Sequence, residues 1–214
     1  MSAAISKSSA VVIDAGVGNL DNLARALRHV GADCEVTTDA ARIAAAKCLV
    51  LPGVGAFRPP RETLRGEMED ALRSAVAEGA WLLGICVGFQ LLFDRGEEFG
   101  STDGLGLLPG VIRRLPDDVP LPHIGWNRLH DEQDHPLFAG IPAGSYFYFV
   151  HSFAPLSVPE ASGLAQATHG ATFTAVACRQ RVLGTQFHPE RSGPAGLRLL
   201  SNYLELAHAA DSGD

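Results

Sequence analysis

The sequence has no excess of basic residues. Its 17 Lys and Arg residues are outnumbered by 24 Asp and Glu, so the 214-residue chain carries a formal net charge of −7. Surfaces that bind nucleic acids or anionic membranes need clustered Lys and Arg to neutralise phosphates. We therefore expect no nucleic-acid partner and no membrane partner, and the composition favours a small molecule or another protein as the ligand.

Long apolar runs and paired cysteines are also absent. No segment approaches the ~18–20 consecutive apolar residues that a membrane span needs. The early apolar stretch AVVI is soon broken by Asp14, and only Lys7 precedes it, so we expect no secretory signal. The four cysteines lack CxxC spacing, which predicts neither disulfides nor a zinc site. We expect reduced thiols, a cytoplasmic location, and no metal or other cofactor.

The order of predicted elements favours an α/β fold in one domain spanning residues 1–214, with disordered ends at 1–8 and 209–214. In the first half, apolar strands alternate with segments of helical periodicity. This alternation predicts a mostly parallel central sheet flanked by helices. The strands are expected at 10–16, 34–39, 48–57 and 80–85, and helices at 19–33 and 61–79.

The second half is richer in proline, glycine and short β-prone segments, such as SYFYFVHSF and TFTAVACRQRVLGTQFH. Helical periodicity returns only at 195–210. These features predict antiparallel strands and hairpins added to the sheet, followed by a closing helix.

Cys86 lies between a predicted strand and a predicted helix, within the pattern G-x-C-x-G formed by residues 84–88. This pattern is the thiol counterpart of the nucleophile elbow, a strained strand-to-helix turn. Flanking glycines would allow the backbone to make that turn, and the N–H groups of a helix N-terminus favour a thiolate. A buried core thiol is the alternative, since free cysteine is often buried.

Two candidate partners for that thiol occur in GTQFHPERS. His188 and Glu190 are two residues apart at the end of an apolar strand, where a period of two would point both side chains the same way. Pro189 favours an extended conformation for His188. A carboxylate beside an imidazole fixes its tautomer, so His188 could take the thiol proton and later deliver a proton to a leaving amine. A surface His-Pro-Glu turn is the alternative.

The sequence LPGVGAF contains a glycine-rich turn after the third predicted strand. Acyl transfer to a cysteine needs backbone donors for the oxyanion, and Gly53, Val54 and Gly55 could supply them beside the N–H of Val87. An ordinary turn is the alternative. The other glycine cluster, DAGVGNLDNL, has Asp21 where a dinucleotide-binding fingerprint has its third glycine, which disfavours that class of function.

Taken together, PGVG, GICVGFQLL and GTQFHPE resemble the class I (triad) glutamine amidotransferase domain over nearly the whole chain. The resemblance implies hydrolysis of L-glutamine to glutamate and ammonia. It implies that Cys86 is the nucleophile, that His188 is the general base and acid, and that Glu190 orients His188. It also implies that Gln90 contacts glutamine and that the backbone of Ser152 and Phe153 holds its α-carboxylate.

The segments IDAGVGNLDNL, PHIGWN and YFYFVHSF are similar to those of one subfamily, the glutaminase subunits of imidazole glycerol phosphate synthase in histidine biosynthesis. That similarity implies a heterodimer with a (β/α)8-barrel cyclase, which receives the ammonia. Four residues match positions at the subunit interface or ammonia passage: Asn19, Trp126, Tyr148 and Arg191. For Trp126 and Tyr148 an aromatic core role is the alternative, and for Arg191 a solvated charge.

Three histidines are left without a functional assignment. His123 and His151 are interpreted as structural, and His169 has no assigned role. Two further functions remain as alternatives: a glutaminase serving pyridoxal phosphate, anthranilate or aminodeoxychorismate synthesis, and a catalytically silent assembly module. The intact Cys86, His188 and Glu190 argue against the silent module.

Overall fold

The computed structural model describes residues 9–159 and 162–209. The helices of this part of the chain are α1 (Leu20–His29), α2 (Ala40–Ala45), α3 (Arg58–Leu64), α4 (Glu67–Ala77), α5 (Val87–Leu91) and α6 (Gly193–Ala209). The predicted disordered residues 1–8 and 210–214 lie outside the described residues, whereas Ala209 is the last residue of α6.

The strands of the first half are β1 (Ser9–Ile13), β2 (Asp33–Thr37), β3 (Cys48–Gly53), β4 (Trp81–Cys86), β5 (Arg95–Gly96) and β6 (Thr102–Asp103). Those of the second half are β7 (Val111–Arg114), β8 (His123–Arg128), β9 (Tyr146–His151), β10 (Phe153–Pro155), β11 (Gly163–His169), β12 (Ala171–Arg179) and β13 (Val182–Thr185).

A seven-stranded sheet with the order β11-β12-β13-β4-β3-β1-β2 forms the centre of the molecule. The five strands from β13 to β2 pair in parallel, while β11, β12 and β13 pair antiparallel. The side chains of β3 and most of β4 are buried, as expected of central parallel strands covered by other layers. The predicted α/β fold class, mostly parallel with antiparallel additions from the second half, is confirmed.

Two smaller sheets complete the fold: a four-stranded one with the order β10-β7-β5-β6, and the antiparallel pair β8–β9. We call the pair β8–β9 the ribbon. Successive residues of a strand point to opposite faces, so the ribbon has an inward face and an outward face. His123, Phe147, Phe149 and His151 are buried on the inward face, and Ile124, Trp126 and Tyr146 are exposed on the outward face.

The register of the central sheet brings three strand ends together. Gly53 at the end of β3 is paired with Cys86 at the end of β4. On the other side of β4, Thr185 at the end of β13 is paired with Ile85. The segments that follow β3, β4 and β13 therefore leave the sheet at one carboxyl edge, where ligands bind in open α/β sheets.

The helical prediction for 61–79 was wrong in one respect. This region is divided between α3, which starts earlier, and α4, because Gly66 adopts φ +85° and Arg65 has an extended ψ of 146°. A left-handed glycine cannot continue a right-handed helix. The short helix α2 was not predicted. Asp39 caps it, since its carboxylate accepts a hydrogen bond of 2.8 Å from Ala41 N.

Within residues 9–159 and 162–209, every helix is too short or too polar to cross a membrane.

Candidate active site

Cys86 occupies a strained turn between β4 and α5. Its backbone has φ 54° and ψ −110°, a conformation that costs free energy for any residue with a side chain. The residue is 2% exposed, and its Sγ lies 3.9 Å from Val150 O and 3.8 Å from Gln186 Nε2. The strand-to-helix turn predicted from G-x-C-x-G is therefore present, with the thiol buried at its apex.

The two glycines that flank Cys86 have a different role from the predicted one. Neither has a positive φ, so the strained conformation belongs to Cys86 itself. The glycines are needed for space: a methyl group on Gly88 would lie 1.8 Å from Leu51 O, and one on Gly84 would lie 2.7 Å from Phe89 Cα. Their absence of side chains lets α5 pack directly on β3 and β4.

His188 and Glu190 form a buried pair. The His188 Nδ1–H donates to Glu190 Oε1 at 2.8 Å, and each side chain is 5% exposed. The strand geometry that we predicted for this pair was wrong, because β13 already ends at Thr185. His188 is extended, with φ −98° and ψ 98°, as Pro189 favours, and Glu190 follows in a 3₁₀ turn at 189–191. That turn folds the carboxylate back onto the imidazole.

The electrostatic environment of His188 couples it to Cys86. Burial lowers the pKa of His188, but the Cys86 thiol and the Glu190 carboxylate outweigh burial and raise that pKa to about 10. His188 Nε2 is buried and has no hydrogen bond of ordinary geometry within the described residues. The Nε2 atom is therefore available to exchange a proton with the thiol, while Nδ1 is held by Glu190.

A cavity of about 210 Å³ opens beside Cys86. It is smaller than the ~300–1,000 Å³ of pockets for drug-sized molecules, which suits a small metabolite. All three residues predicted to contact glutamine line it: Gln90, Ser152 and Phe153. Gln90 is almost fully buried, and its amide donates to Phe153 O at 2.8 Å.

Three of the four predicted oxyanion residues, Gly53, Gly55 and Val87, lie next to the same thiol. Gly55, with φ +85°, and Val87 line the cavity. Gly53 packs against the turn, since a methyl group there would lie 2.8 Å from Gly88 N. The Val54 side chain is 39% exposed. The structure thus brings the end of β3 and the start of α5 together next to Cys86.

Two polar residues of the site, Gln186 and Glu98, were not identified from the sequence. Gln186 is fully buried between Cys86 and Gln90, and its Oε1 accepts from Gln90 Nε2 at 3.2 Å. Glu98 lines the cavity, and its Oε2 accepts from Phe57 N at 2.8 Å. In the sequence, Gln186 is marked only by being a polar residue at the end of an apolar segment. Glu98 lies in a loop and belongs to no recognisable motif. His151 also lines the cavity, although we interpreted it as structural.

Three of the four predicted interface residues cluster on the outward face of the ribbon and beside it. The rings of Trp126 and Tyr148 are 6.1 Å apart, and Arg191 Cζ lies 4.1 Å from the centre of the Tyr148 ring. Trp126 is 56% exposed, so it is not an aromatic core residue. The fourth, Asn19, is exposed and caps α1, with Oδ1 accepting from Asn22 N at 3.1 Å.

The ribbon is attached to the His188 segment through Tyr148. His188 N donates to Tyr148 O at 2.9 Å, and Tyr148 N donates to Ser192 Oγ at 3.0 Å. Ser192 Oγ in turn donates to His188 O at 2.6 Å. The surface that carries Trp126 and Tyr148 is therefore one backbone hydrogen bond away from His188.

The fold, the Cys86 elbow and the His188–Glu190 pair define a class of protein. Residues 11–206 match the family model described as glutamine amidotransferase class-I. The chain belongs to the class-I glutamine amidotransferase family.

Comparison with curated relatives shows which members of that family the chain is similar to. The HisH subunit of imidazole glycerol phosphate synthase from Symbiobacterium thermophilum is 48% identical over 90% of this chain and 92% of its own length. The corresponding subunits from Herpetosiphon aurantiacus and Salinibacter ruber are 45% and 42% identical, each over 94% of this chain and 96% of its own length. Within the amidotransferase family, the chain groups with these HisH subunits.

Solved structures agree on the fold. A crystal structure of a glutamine amidotransferase matches with a TM-score of 0.74 at 22% identity, over 92% of this chain and 98% of that one. The structure of PurLQS from Thermotoga maritima matches with a TM-score of 0.73 at 19% identity, over 94% of this chain and 99% of that one.

Proposed function

We propose that this protein is the glutaminase subunit of imidazole glycerol phosphate synthase, hydrolysing L-glutamine and delivering ammonia to a (β/α)8-barrel cyclase subunit. The observation that carries the proposal is the Cys86 thiol, next to the buried His188–Glu190 pair, at the wall of a cavity lined by Gln90, Ser152 and Phe153. The HisH relatives support the choice of this synthase over other amidotransferases.

The first half of the reaction acylates Cys86. The thiol proton moves to His188 Nε2, and the sulfur attacks the side-chain carbonyl carbon of glutamine. N–H groups of the Gly53–Gly55 turn and of Val87 stabilise the oxyanion, and each such donor is worth about 3–4 kcal/mol. When the C–N bond breaks, His188 protonates the leaving nitrogen, so ammonia departs and a thioester remains. Glu190, which also raises the pKa of His188 and stays hydrogen-bonded to Nδ1, keeps a proton available for this step.

The second half of the reaction releases glutamate. His188 removes a proton from a water molecule, which attacks the thioester carbonyl. The tetrahedral intermediate collapses, the C–S bond breaks, and the thiol regains a proton from His188. Glu190 holds the Nδ1–H throughout, so Nε2 faces the reacting atoms in both halves.

The partner surface in this proposal contains Trp126, Tyr148 and Arg191, with Asn19 at the start of α1. The aromatic and cationic composition of this cluster is typical of interaction hot spots. In that assembly the cyclase would use the ammonia to make imidazole glycerol phosphate and the purine precursor AICAR. The hydrogen bond from His188 N to Tyr148 O gives a partner on this surface a short route to the catalytic histidine.

The test is glutamate production by the chain alone, by the chain with the cognate barrel subunit, and by that complex with the barrel's nucleotide ligand. We expect low activity alone and a strong increase in the liganded complex. Equal turnover in all three samples would contradict the proposed partner.

Cys86→Ser should abolish activity in every sample, and a chloroketone analogue of glutamine should label Cys86. Labelling of Cys34, Cys48 or Cys178 instead would contradict the proposed nucleophile.

A further inference from the structure

Two histidines face each other on the inward face of the ribbon. His123 of β8 is paired directly with His151 of β9, and both are buried, at 5% and 6% exposure. Their rings are joined by a contact of 3.2 Å between His123 Nδ1 and His151 Nε2. Burial lowers the pKa of His123 to about 4 and that of His151 to about 3, so both rings are neutral near pH 7. A neutral pair can share only one proton across this contact.

The partners at each end of the pair fix where the protons lie. His151 Nδ1 is 3.0 Å from Phe153 O, which can only accept, so His151 carries its proton on Nδ1. Its Nε2 is then an acceptor, which requires the proton of His123 to lie on Nδ1. His123 Nε2 is consequently an acceptor too, and the amide of Asn127 donates to it at 3.3 Å.

The hydrogen bonds therefore run in one direction, from Asn127 through His123 and His151 to the carbonyl of Phe153. Asn127 is itself fixed, because its amide also donates to Thr168 O at 2.9 Å. Every polar atom of the two rings has a partner in this chain of bonds. Such a fully satisfied network holds its members in one arrangement, since any ring rotation would leave a buried group unpaired.

The carbonyl at the end of this chain belongs to the wall of the cavity. Phe153 O accepts from both His151 Nδ1 and Gln90 Nε2, and the neighbouring Ser152 O accepts from Leu115 N at 2.9 Å. Both carbonyls of the 152–153 segment are thus fixed by groups outside it. Because each peptide unit is planar, holding the Ser152 carbonyl fixes the N–H of Phe153. Holding the Phe153 carbonyl fixes the peptide unit on the other side of that residue, so the backbone conformation of Phe153 is set from both sides.

We propose that His151 is a positioning residue for glutamine: its Nδ1–H, locked by His123, holds the Phe153 carbonyl and thereby sets the backbone that receives the α-carboxylate. This inference rests on the proposed glutaminase function. It assigns His151 no proton transfer in the reaction. It accounts for a polar, buried side chain in β9, where the other inward residues, Phe147 and Phe149, are apolar.

The test compares three substitutions of His151 in the complex with the barrel subunit. In His151→Asn the amide nitrogen takes the place of Nδ1 and can still donate to Phe153 O. In His151→Gln the amide reaches toward His123 and cannot hold that carbonyl, and His151→Leu keeps the volume without any donor. We expect the glutamine KM to rise about tenfold in the Gln and Leu variants and less than about threefold in Asn, with kcat nearly unchanged.

A second measurement separates positioning of the α-carboxylate from general damage. Cys86 is alkylated either by the chloroketone analogue of glutamine, which carries the amino-acid group, or by iodoacetamide, which does not. We expect His151→Leu to slow the first reaction about tenfold and to leave the second within about twofold of the unsubstituted protein. His151→Asn should react at nearly the original rate with both reagents.

Three outcomes would overturn the inference. They are an unchanged KM in His151→Leu, equal slowing of both alkylation reactions, and an Asn variant no better than the Leu variant. Failure of the proposed function would look different, because the unsubstituted protein would then show no preference for the glutamine analogue over iodoacetamide.

Discussion

The central sheet and the ribbon hold the residues of the candidate active site in different ways. Around Cys86 the sheet leaves no room for adjustment: methyl groups on Gly84, Gly88 or Gly184 would overlap neighbouring atoms at 2.7, 1.8 and 2.0 Å. In the ribbon, Gly125 has no heavy atom within 4 Å of the position a methyl group would take. The sheet holds its site by close packing, whereas the inward face of the ribbon combines the packed rings of Phe147 and Phe149 with the hydrogen bonds of His123 and His151.

This contrast agrees with the different roles of the two regions in the proposed function: the sheet carries the reacting thiol, and the ribbon carries groups for recognition. Bond making at Cys86 requires atoms placed to a fraction of an ångström, and a fully packed, partly strained turn supplies that placement. Recognition of glutamine and of a partner subunit depends on donors, acceptors and exposed rings, which the two faces of the ribbon carry separately.

Glu190→Gln should reduce kcat by about a hundredfold to ten-thousandfold, because the His188 tautomer is no longer fixed by a carboxylate. Glu190 is one of the groups that raise the pKa of His188 to about 10. Removing its charge lowers that pKa, so the alkaline limb of the kcat/KM profile should move to lower pH. An alkaline limb at the same pH in both proteins would show that Glu190 does not act on His188 electrostatically.

Gly88→Ala against Gly125→Ala tests the packing contrast directly. At Gly88 the methyl group would overlap a backbone carbonyl, and we expect a loss of more than about 3 kcal/mol in the free energy of unfolding, or no folded protein. At Gly125 there is room, but φ is +134°, so a loss of about 1–2 kcal/mol is expected from strain alone. Urea denaturation measures both. Similar losses in the two variants would remove the distinction between sheet and ribbon.

Trp126→Ala concerns the outward face only. The side chain is exposed in the free chain and belongs to the proposed partner surface, so the substitution should weaken binding to the barrel subunit by about 2 kcal/mol, roughly thirtyfold in Kd. The thermal midpoint of the free chain should stay within about 1 °C, because little apolar area is lost from the core. Calorimetric titration gives the affinity. Unchanged affinity would exclude Trp126 from the interface.

The smallest effect is expected at the elbow backbone. A glycine in place of an alanine within a helix or strand normally lowers the free energy of unfolding by about 0.5–1 kcal/mol, because glycine loses more chain entropy on folding. At position 86 we expect the reverse, with Cys86→Gly more stable than Cys86→Ala by about 1 kcal/mol, since φ 54° with ψ −110° is strained for alanine. The comparison of two inactive variants isolates strain from chemistry. Greater stability of the alanine variant would mean that the turn stores no strain.

Local patterns were sufficient for the parts of the site that a few consecutive residues define. The elbow could be predicted because G-x-C-x-G lies between an apolar strand and a helix. The His188–Glu190 pair could be predicted because the two residues are separated only by Pro189, although a 3₁₀ turn, and not the predicted strand, brings them together. The fold class followed from alternating strand and helix periodicity. In each case the decisive interactions are short in sequence or set by the period of the element.

The residues that were missed or misinterpreted depend on distant contacts. Gly88 must lack a side chain because the carbonyl oxygen of Leu51 lies too close. Gln186 is placed in the site by contacts with Gln90 and Cys86, which are far away in sequence. Glu98 reaches the cavity from a loop after β5, where no periodicity applies. His151 looked structural because its partners, His123 and Phe153, become neighbours only when the ribbon pairs. Such contacts are decided by topology, which a single sequence specifies only indirectly.

The ribbon's alternation limits how this protein can change over evolution. His123 and His151 lie on one face, and Trp126 and Tyr148 lie on the other, in a single antiparallel register. Deleting or inserting one residue within β8 would exchange the faces beyond that point, because side chains alternate with a period of two. In the proposed function, substrate and partner recognition are thus inherited together: point substitutions can modify either one, but a single-residue change in strand length disrupts both.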